Sequence, residues 1–144
     1  MKDNQYIIGS IGEDLVTEHF KFSEKTDDWY DSTKDGTIQD FTYEVKTMRL
    51  NFRDNGFWIH ENQWKKVDGV DLLFFVKVPE KEEEGLRLYQ MLDHKRTFKM
   101  ITHKGKKVRV YPFTRCLLLD IIYDNRALQV LEASKSISTW SRVA

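Results

Sequence analysis

The chain has 144 residues, enough for one domain with a buried core. A content of 40% hydrophobic and 13% aromatic residues excludes a disordered polymer. Lysine plus arginine (23) equal aspartate plus glutamate (23), which excludes a uniformly basic nucleic-acid binder but not a segregated one. The single cysteine, Cys116, excludes a disulfide framework and a cysteine zinc cage and suits a reducing cytoplasm.

In chain order, the opening residues MKDNQYIIGS lack the apolar core of a signal peptide, and no apolar run approaches the roughly 18 residues of a membrane span. The expectation is therefore a cytoplasmic chain without membrane partners. Residues 10–22 read as an amphipathic helix. Ser10 and Glu13 have the spacing of a capping box, and Ile11, Leu15, Val16 and Phe20 recur at helical spacing. Trp29-Tyr30-Asp31 is a weak strand signal. Residues 36–40 and 43–48 suggest a hairpin, 56–60 another strand, and 61–67 a short helix. The run VDLLFFVKV at 70–78 is apolar almost throughout, as expected for a strand covered on both faces. Residues 86–92 alternate as a strand. Asp93 is placed to cap a helix through Ile101, and 108–112 resembles a strand preceded by a Lys-Gly-Lys turn. Residues 116–122 fit strand or helix, and 127–136 fit a helix. The pattern is that of an α/β (α+β) domain spanning the chain.

Two features carry chemistry. The first is the interval 94–119, which has no acidic residue and holds Lys95, Arg96, Lys99, Lys104, Lys106, Lys107, Arg109 and Arg115. This is a basic face suited to phosphates, or else a solvated lysine-rich hairpin. The second is the hairpin from Asp35 to Lys46. A turn at Asp40-Phe41 sets Asp35 opposite Lys46 and Thr37 opposite Glu44. Alternation then projects Asp35, Thr37, Glu44 and Lys46 from one face and Ile38, Tyr43 and Val45 from the other. Close carboxylates repel unless a cation lies between them. Mg²⁺ needs only one or two protein carboxylates plus phosphate oxygens. Asp35, Glu44 and the carbonyl of Val45 are the expected ligands. Lys46 is expected beside the attacking water, to orient it, to help deprotonate it or to stabilise charge on phosphorus.

Asp35…Glu44-Val45-Lys46, following a helix, resembles the signature of the PD-(D/E)XK (restriction-endonuclease-like) nucleases, with Lys34 standing where their proline would be. Asp31 and Asp40 are alternatives to Asp35. The resemblance covers about residues 9–78. It implies a central mixed sheet flanked by helices and Mg²⁺-dependent hydrolysis of DNA phosphodiester bonds, with Mn²⁺ as a substitute. It also implies a metal-site role for Glu13, although capping alone explains that residue, and phosphate-side roles for Gln63 and for Lys65 or Lys66. The target is a specific duplex site, as in homing or restriction enzymes, or a branched junction. Cutting both strands implies a homodimer, and phage- or mobile-element-encoded settings fit. A non-catalytic nucleic-acid-binding module on the same fold is the alternative. The four histidines have no zinc spacing, and no glycine-rich phosphate loop suggests an organic cofactor. Trp64 is expected to pack, or to stack on a base.

Overall fold

The computed structural model describes residues 4–25 and 34–137. The strand expected at 29–31, with Asp31, lies outside the described residues. Among the described residues there are three α-helices: α1 (Asn4–His19), α2 (Trp64–Asp68) and α3 (Asn125–Lys135). The strands are β1 (Ser23–Lys25), β2 (Gly36–Ile38), β3 (Phe41–Met48), β4 (Gly56–His60), β5 (Leu72–Lys77), β6 (Leu86–Met91), β7 (Lys99–His103), β8 (Lys106–Pro112) and β9 (Cys116–Ile122). Six of them form a mixed sheet in the order β1-β2-β3-β5-β6-β9, and the other three form a second sheet, β4-β8-β7. Among the described strands only the β3–β5 pair is parallel, and the chain between them passes through β4 and α2. Among the described residues no helix is long and apolar enough to cross a membrane.

The apolar run at 70–78 becomes β5, and its alternation divides the interior. Phe74 and Val76 face a core shared with Ile8, Leu15 and Val16 of α1 and Ala127 and Val130 of α3. Leu73 and Phe75 face a second core with Phe57, Ile59, Val67, Met91 and Tyr111, under the smaller sheet and α2. All four of these β5 side chains are fully buried, so the two-sided covering expected from sequence is realised.

Helix α1 starts six residues earlier than expected. Ser10 lies inside it, so the capping box does not form there, and Glu13 has no capping role to explain it. The apolar residues at 7, 8 and 11 extend the buried stripe upstream, and that burial outweighs the local capping signal. Gly12 lets this helix approach β3 closely, because a Cβ there would come within 1.9 Å of Thr47 Oγ1.

The helix expected at 93–101 is absent. Asp93 takes a left-handed φ of 52°, and its carbonyl accepts from the N–H groups of Arg96 and Thr97, closing a turn. The following residues pair with β8 from Lys99↔Val110 to His103↔Lys106. Ile101 and Thr102 are β-branched, and the tight Lys104-Gly105 turn returns the chain, so hairpin pairing wins over the cap. The ambiguous 116–122 segment is a strand, β9.

Arg109 of β8 fastens the small sheet to α2. Its guanidinium donates to both carboxylate oxygens of Asp68, at 2.7 and 3.0 Å. It also lies over the rings of Trp64 at 4.7 Å and Phe98 at 4.2 Å. A five-residue helix has no stability of its own in water, so this staple and the burial of Val67 hold α2 in place. Trp64 packs against the second core and donates through its indole N–H to the Ile59 carbonyl.

Gly36, next to Asp35, is squeezed from two sides. A Cβ there would lie 2.3 Å from the Glu24 carbonyl oxygen and 2.5 Å from the Tyr43 hydroxyl. Gly36→Ala is expected to cost about 1–3 kcal/mol of stability, read as a lowered urea midpoint at unchanged m-value. Arg109→Met is expected to destabilise by a similar amount, because it removes the bidentate pair and the stacked cation together.

Candidate active site

The hairpin turns at Gln39-Asp40, with Gln39 at φ 55°, one position earlier than expected. The register is Gly36↔Tyr43, Thr37↔Thr42 and Ile38↔Phe41. Thr37 therefore opposes Thr42, not Glu44, and Asp35 lies across from Glu44, not Lys46. The slide is an even number of residues, so every side chain keeps its expected face. Tyr43 and Val45 enter the helix-side core, with Ile38 packed against it. Asp35, Glu44 and Lys46 stand on the opposite side, toward α2.

Asp35 sits just beyond the last paired residue of β2. Its N–H donates to the Tyr43 carbonyl at 2.9 Å, and its Oδ2 accepts from the Val45 N–H at 2.8 Å. In an extended strand a residue's N–H and C=O leave on the same edge. The Val45 carbonyl therefore emerges on the edge occupied by the Asp35 carboxylate.

Glu44 is 1% exposed. Its Oε2 lies 3.0 Å from Lys46 Nζ and 3.3 Å from Lys66 Nζ. Its Oε1 is buried with no hydrogen-bond partner. Lys66 also reaches Asp35 Oδ1 at 3.5 Å, so one ammonium spans both carboxylates. Lys46 donates to Gln63 Oε1 at 2.6 Å. Gln63 ends a short 3-10 helix, Glu61–Gln63, that leads straight into α2. Gln63 and Lys66 are three residues apart at the start of that helical stretch, a spacing that brings side chains to one face.

The electrostatics follow from this crowding. Burial, then the negative charge of the adjacent Asp35 carboxylate, push Glu44 up to about 8. Lys46 and Lys66 pull it down without cancelling that rise. Glu13, on α1, is also raised, first by burial and then by Asp35. It therefore belongs to the same electrostatic neighbourhood. Burial lowers the Lys66 ammonium, but Glu44 and Asp35 outweigh it, so its pKa is raised. The Tyr43 hydroxyl, on the core side, is pushed up to about 12 by burial and then by Asp35 and Glu13.

The structure thus brings together Asp35, Glu44, Lys46, Gln63 and Lys66, with the Val45 backbone at the same edge and Glu13 within electrostatic reach. Lys65 is exposed on α2, apart from the carboxylates, and Asp40 is in the exposed turn. Lys66 was expected only as a phosphate contact. Its place between the carboxylates was signalled by the three-residue spacing from Gln63. Tyr43 lies on the apolar face expected for it, in the helix-side core.

Of the basic residues, Lys95 and Arg96 lie on the turn after β6, Lys99 on β7, Lys104 in the β7–β8 turn, and Lys106 and Lys107 at the start of β8. Arg115 closes the 3-10 segment Phe113–Arg115. All seven are exposed. Arg109 differs: its guanidinium is engaged by Asp68, Trp64 and Phe98.

The donor set fits a hard divalent cation. Two carboxylates and a backbone carbonyl meet at one edge, and one carboxylate oxygen is buried without a partner. Mg²⁺ requires no more protein ligands than these. No group of three or more His, Cys, Asp or Glu suited to a metal is found among the described residues. No family model, no curated protein and no solved structure matches this chain.

The raised Glu44 pKa has a definite consequence for stability. Between the unfolded carboxyl value of 4.5 and about 8, the folded state binds the extra proton. Stability from this group is therefore complete below the unfolded pKa and is lost as pH rises through the folded one. Without divalent cations, denaturant unfolding is expected to show stability falling by up to about 1.4 kcal/mol per pH unit in that window from this group. Glu44→Gln should flatten the slope, and Mg²⁺ should restore stability at the alkaline end by binding the ionised form.

Proposed function

We propose that this protein is a Mg²⁺-dependent endonuclease that hydrolyses DNA phosphodiester bonds, built on a restriction-endonuclease-like core. The observation that carries this reading is the buried Glu44 carboxylate, whose Oε1 has no partner while its Oε2 is flanked by two ammonium groups, one of which also reaches Asp35. The order of elements supports it: a helix, an antiparallel hairpin bearing the acids, a short helix, and a strand parallel to the hairpin's second arm.

Asp35, Glu44 and the Val45 carbonyl would hold the cation. When bound, Mg²⁺ supplies Lewis acidity toward water and toward the phosphoryl oxygens. Lys46 is oriented by Gln63 Oε1. It stabilises charge on the phosphoryl group in the transition state and orients the attacking water. Lys66 lies where a phosphate oxygen would approach the carboxylates, and it must turn outward for a metal to enter. Glu13 adds negative charge that favours the divalent ion. The Arg109–Asp68 staple keeps Gln63 and Lys66 in register with β3. Cutting both strands of a duplex calls for two such sites, hence a homodimer, and the target is a specific duplex sequence or a branched junction.

A second reading has its own observation. Lys66 already bridges Asp35 and Glu44, so the carboxylates have a counter-cation without metal, as in a non-catalytic nucleic-acid-binding module of this fold. The two readings separate on plasmid, linear and four-way-junction DNA with and without Mg²⁺ or Mn²⁺. The nuclease reading expects divalent-dependent cleavage. Glu44→Ala and Lys46→Ala should each lower the cleavage rate by at least about a hundredfold while DNA binding, measured by anisotropy, persists. Undiminished divalent-dependent cutting by both variants excludes the assignment. Binding by the unmodified protein with no nicking in either metal selects the module.

A further inference from the structure

An open groove of about 950 Å³ runs between the β4–α2 connection and the tip of the β7–β8 hairpin, lined by His60, Glu61, Asn62, Gly105, Lys106 and Lys107. One wall is the start of the Glu61–Gln63 3-10 helix, and the other end of that helix delivers Gln63 to Lys46. At about 2 Å of rise per residue, the groove wall and Gln63 are separated by a few ångströms along the turn.

The opposite wall is built for close approach. Gly105 has a φ of +78°, and a Cβ there would meet nothing within 4 Å, so the hairpin tip leaves its backbone open. Lys106 and Lys107 follow it on β8, both exposed. The hairpin is not a loose arm. His60 pairs with Val108 across the β4–β8 ladder, and the next residue along β8, Arg109, is locked to Asp68 of α2. The groove is therefore fixed relative to the carboxylates. Its lining offers ammonium, amide, imidazole and backbone donors, the usual ligands of a sugar-phosphate backbone. Glu61 is its only acid.

We propose that this groove seats a DNA backbone beside the candidate active site, with Lys106 and Lys107 contacting phosphates and the β7–β8 hairpin acting as a fixed rail. This rests on the nuclease reading for its orientation but is tested without catalysis. Binding of a short fluorescein-labelled DNA duplex is followed by anisotropy against salt, in EDTA so that nothing is cut. Three proteins are compared: unmodified, Lys106→Gln/Lys107→Gln, and Lys21→Gln/Lys135→Gln. The control pair consists of exposed residues and changes net charge equally. The groove variant is expected to lose up to about 1.8 from the log–log salt slope, about 0.9 per phosphate contact. The control should retain the unmodified slope. Equal slopes in all three proteins, or equal losses in both variants, overturn the groove assignment, as does absence of salt-sensitive binding by the unmodified protein. Failure of the nuclease reading is separate: it appears as absence of cleavage when Mg²⁺ is added, whatever the salt slopes.

Discussion

Glu44 is a carboxylate from which the fold has removed almost all water, beside a second carboxylate, Asp35. Burying one ionised carboxylate is costly, and burying it next to another is more so. The arrangement survives because Lys46 and Lys66 arrive from two different elements, β3 and α2, and because the carboxyl retains its proton up to about pH 8. The surrounding architecture serves this contact. Strand β3 sits between β2, which supplies Asp35, and β5, which runs parallel to it. The parallel pairing demands a crossover, and that crossover is the segment carrying Gln63 and Lys66.

The crossover is too short to hold itself in place. Helix α2 has five residues, and the small sheet anchors it through Arg109, Asp68 and Trp64. Without that sheet, two of the five converging side chains would lose their support. The second core under β5 thus has a role beyond stability, because it sets the distance from Lys66 to the carboxylates. On the other face, the close approach of α1 at Gly12 brings Glu13 within electrostatic reach of Asp35. Both cores meet at β5, so the acids of β2 and β3, the amine of α2 and the carboxyl of α1 are held against one rigid strand.

Much of this was legible in the residues. The 2-residue period of the hairpin placed Asp35, Glu44 and Lys46 on one face, and a slide by an even number of residues left that face intact even though the turn lies one position earlier. The continuous apolar run of β5 was equally plain. The failures were local signals overruled by longer-range pairing. Ser10 and Glu13 looked like a cap, but upstream isoleucines extended the buried stripe of α1. Asp93 looked like a cap, but the chain after it found a partner in β8. Arg109 looked like any other cation in a basic stretch. Nothing nearby in sequence announced Asp68, 41 residues upstream, because such a partner exists only after the sheet folds back.

The charge balance of the site bears on what it is built to receive. Glu13, Asp35 and Glu44 bring three acids, and Lys46 and Lys66 bring two amines, because Lys25, the other cation near Glu13, is paired with Asp14. The fully ionised set is one positive charge short, and Glu44 makes up the difference by keeping a proton. If a divalent cation bound there as proposed, it would displace that proton and overshoot by one positive charge. A phosphodiester carries one negative charge, so on the proposed reading cation and phosphate together would bring the site to neutrality, whereas either alone would leave an unbalanced charge in a poorly solvated place. The same sum predicts cooperativity: each ligand is bound more tightly in the presence of the other. A purely structural ion-pair network has no need of the missing charge. Burying an odd carboxylate with a partnerless oxygen is intelligible if the partner arrives with the substrate.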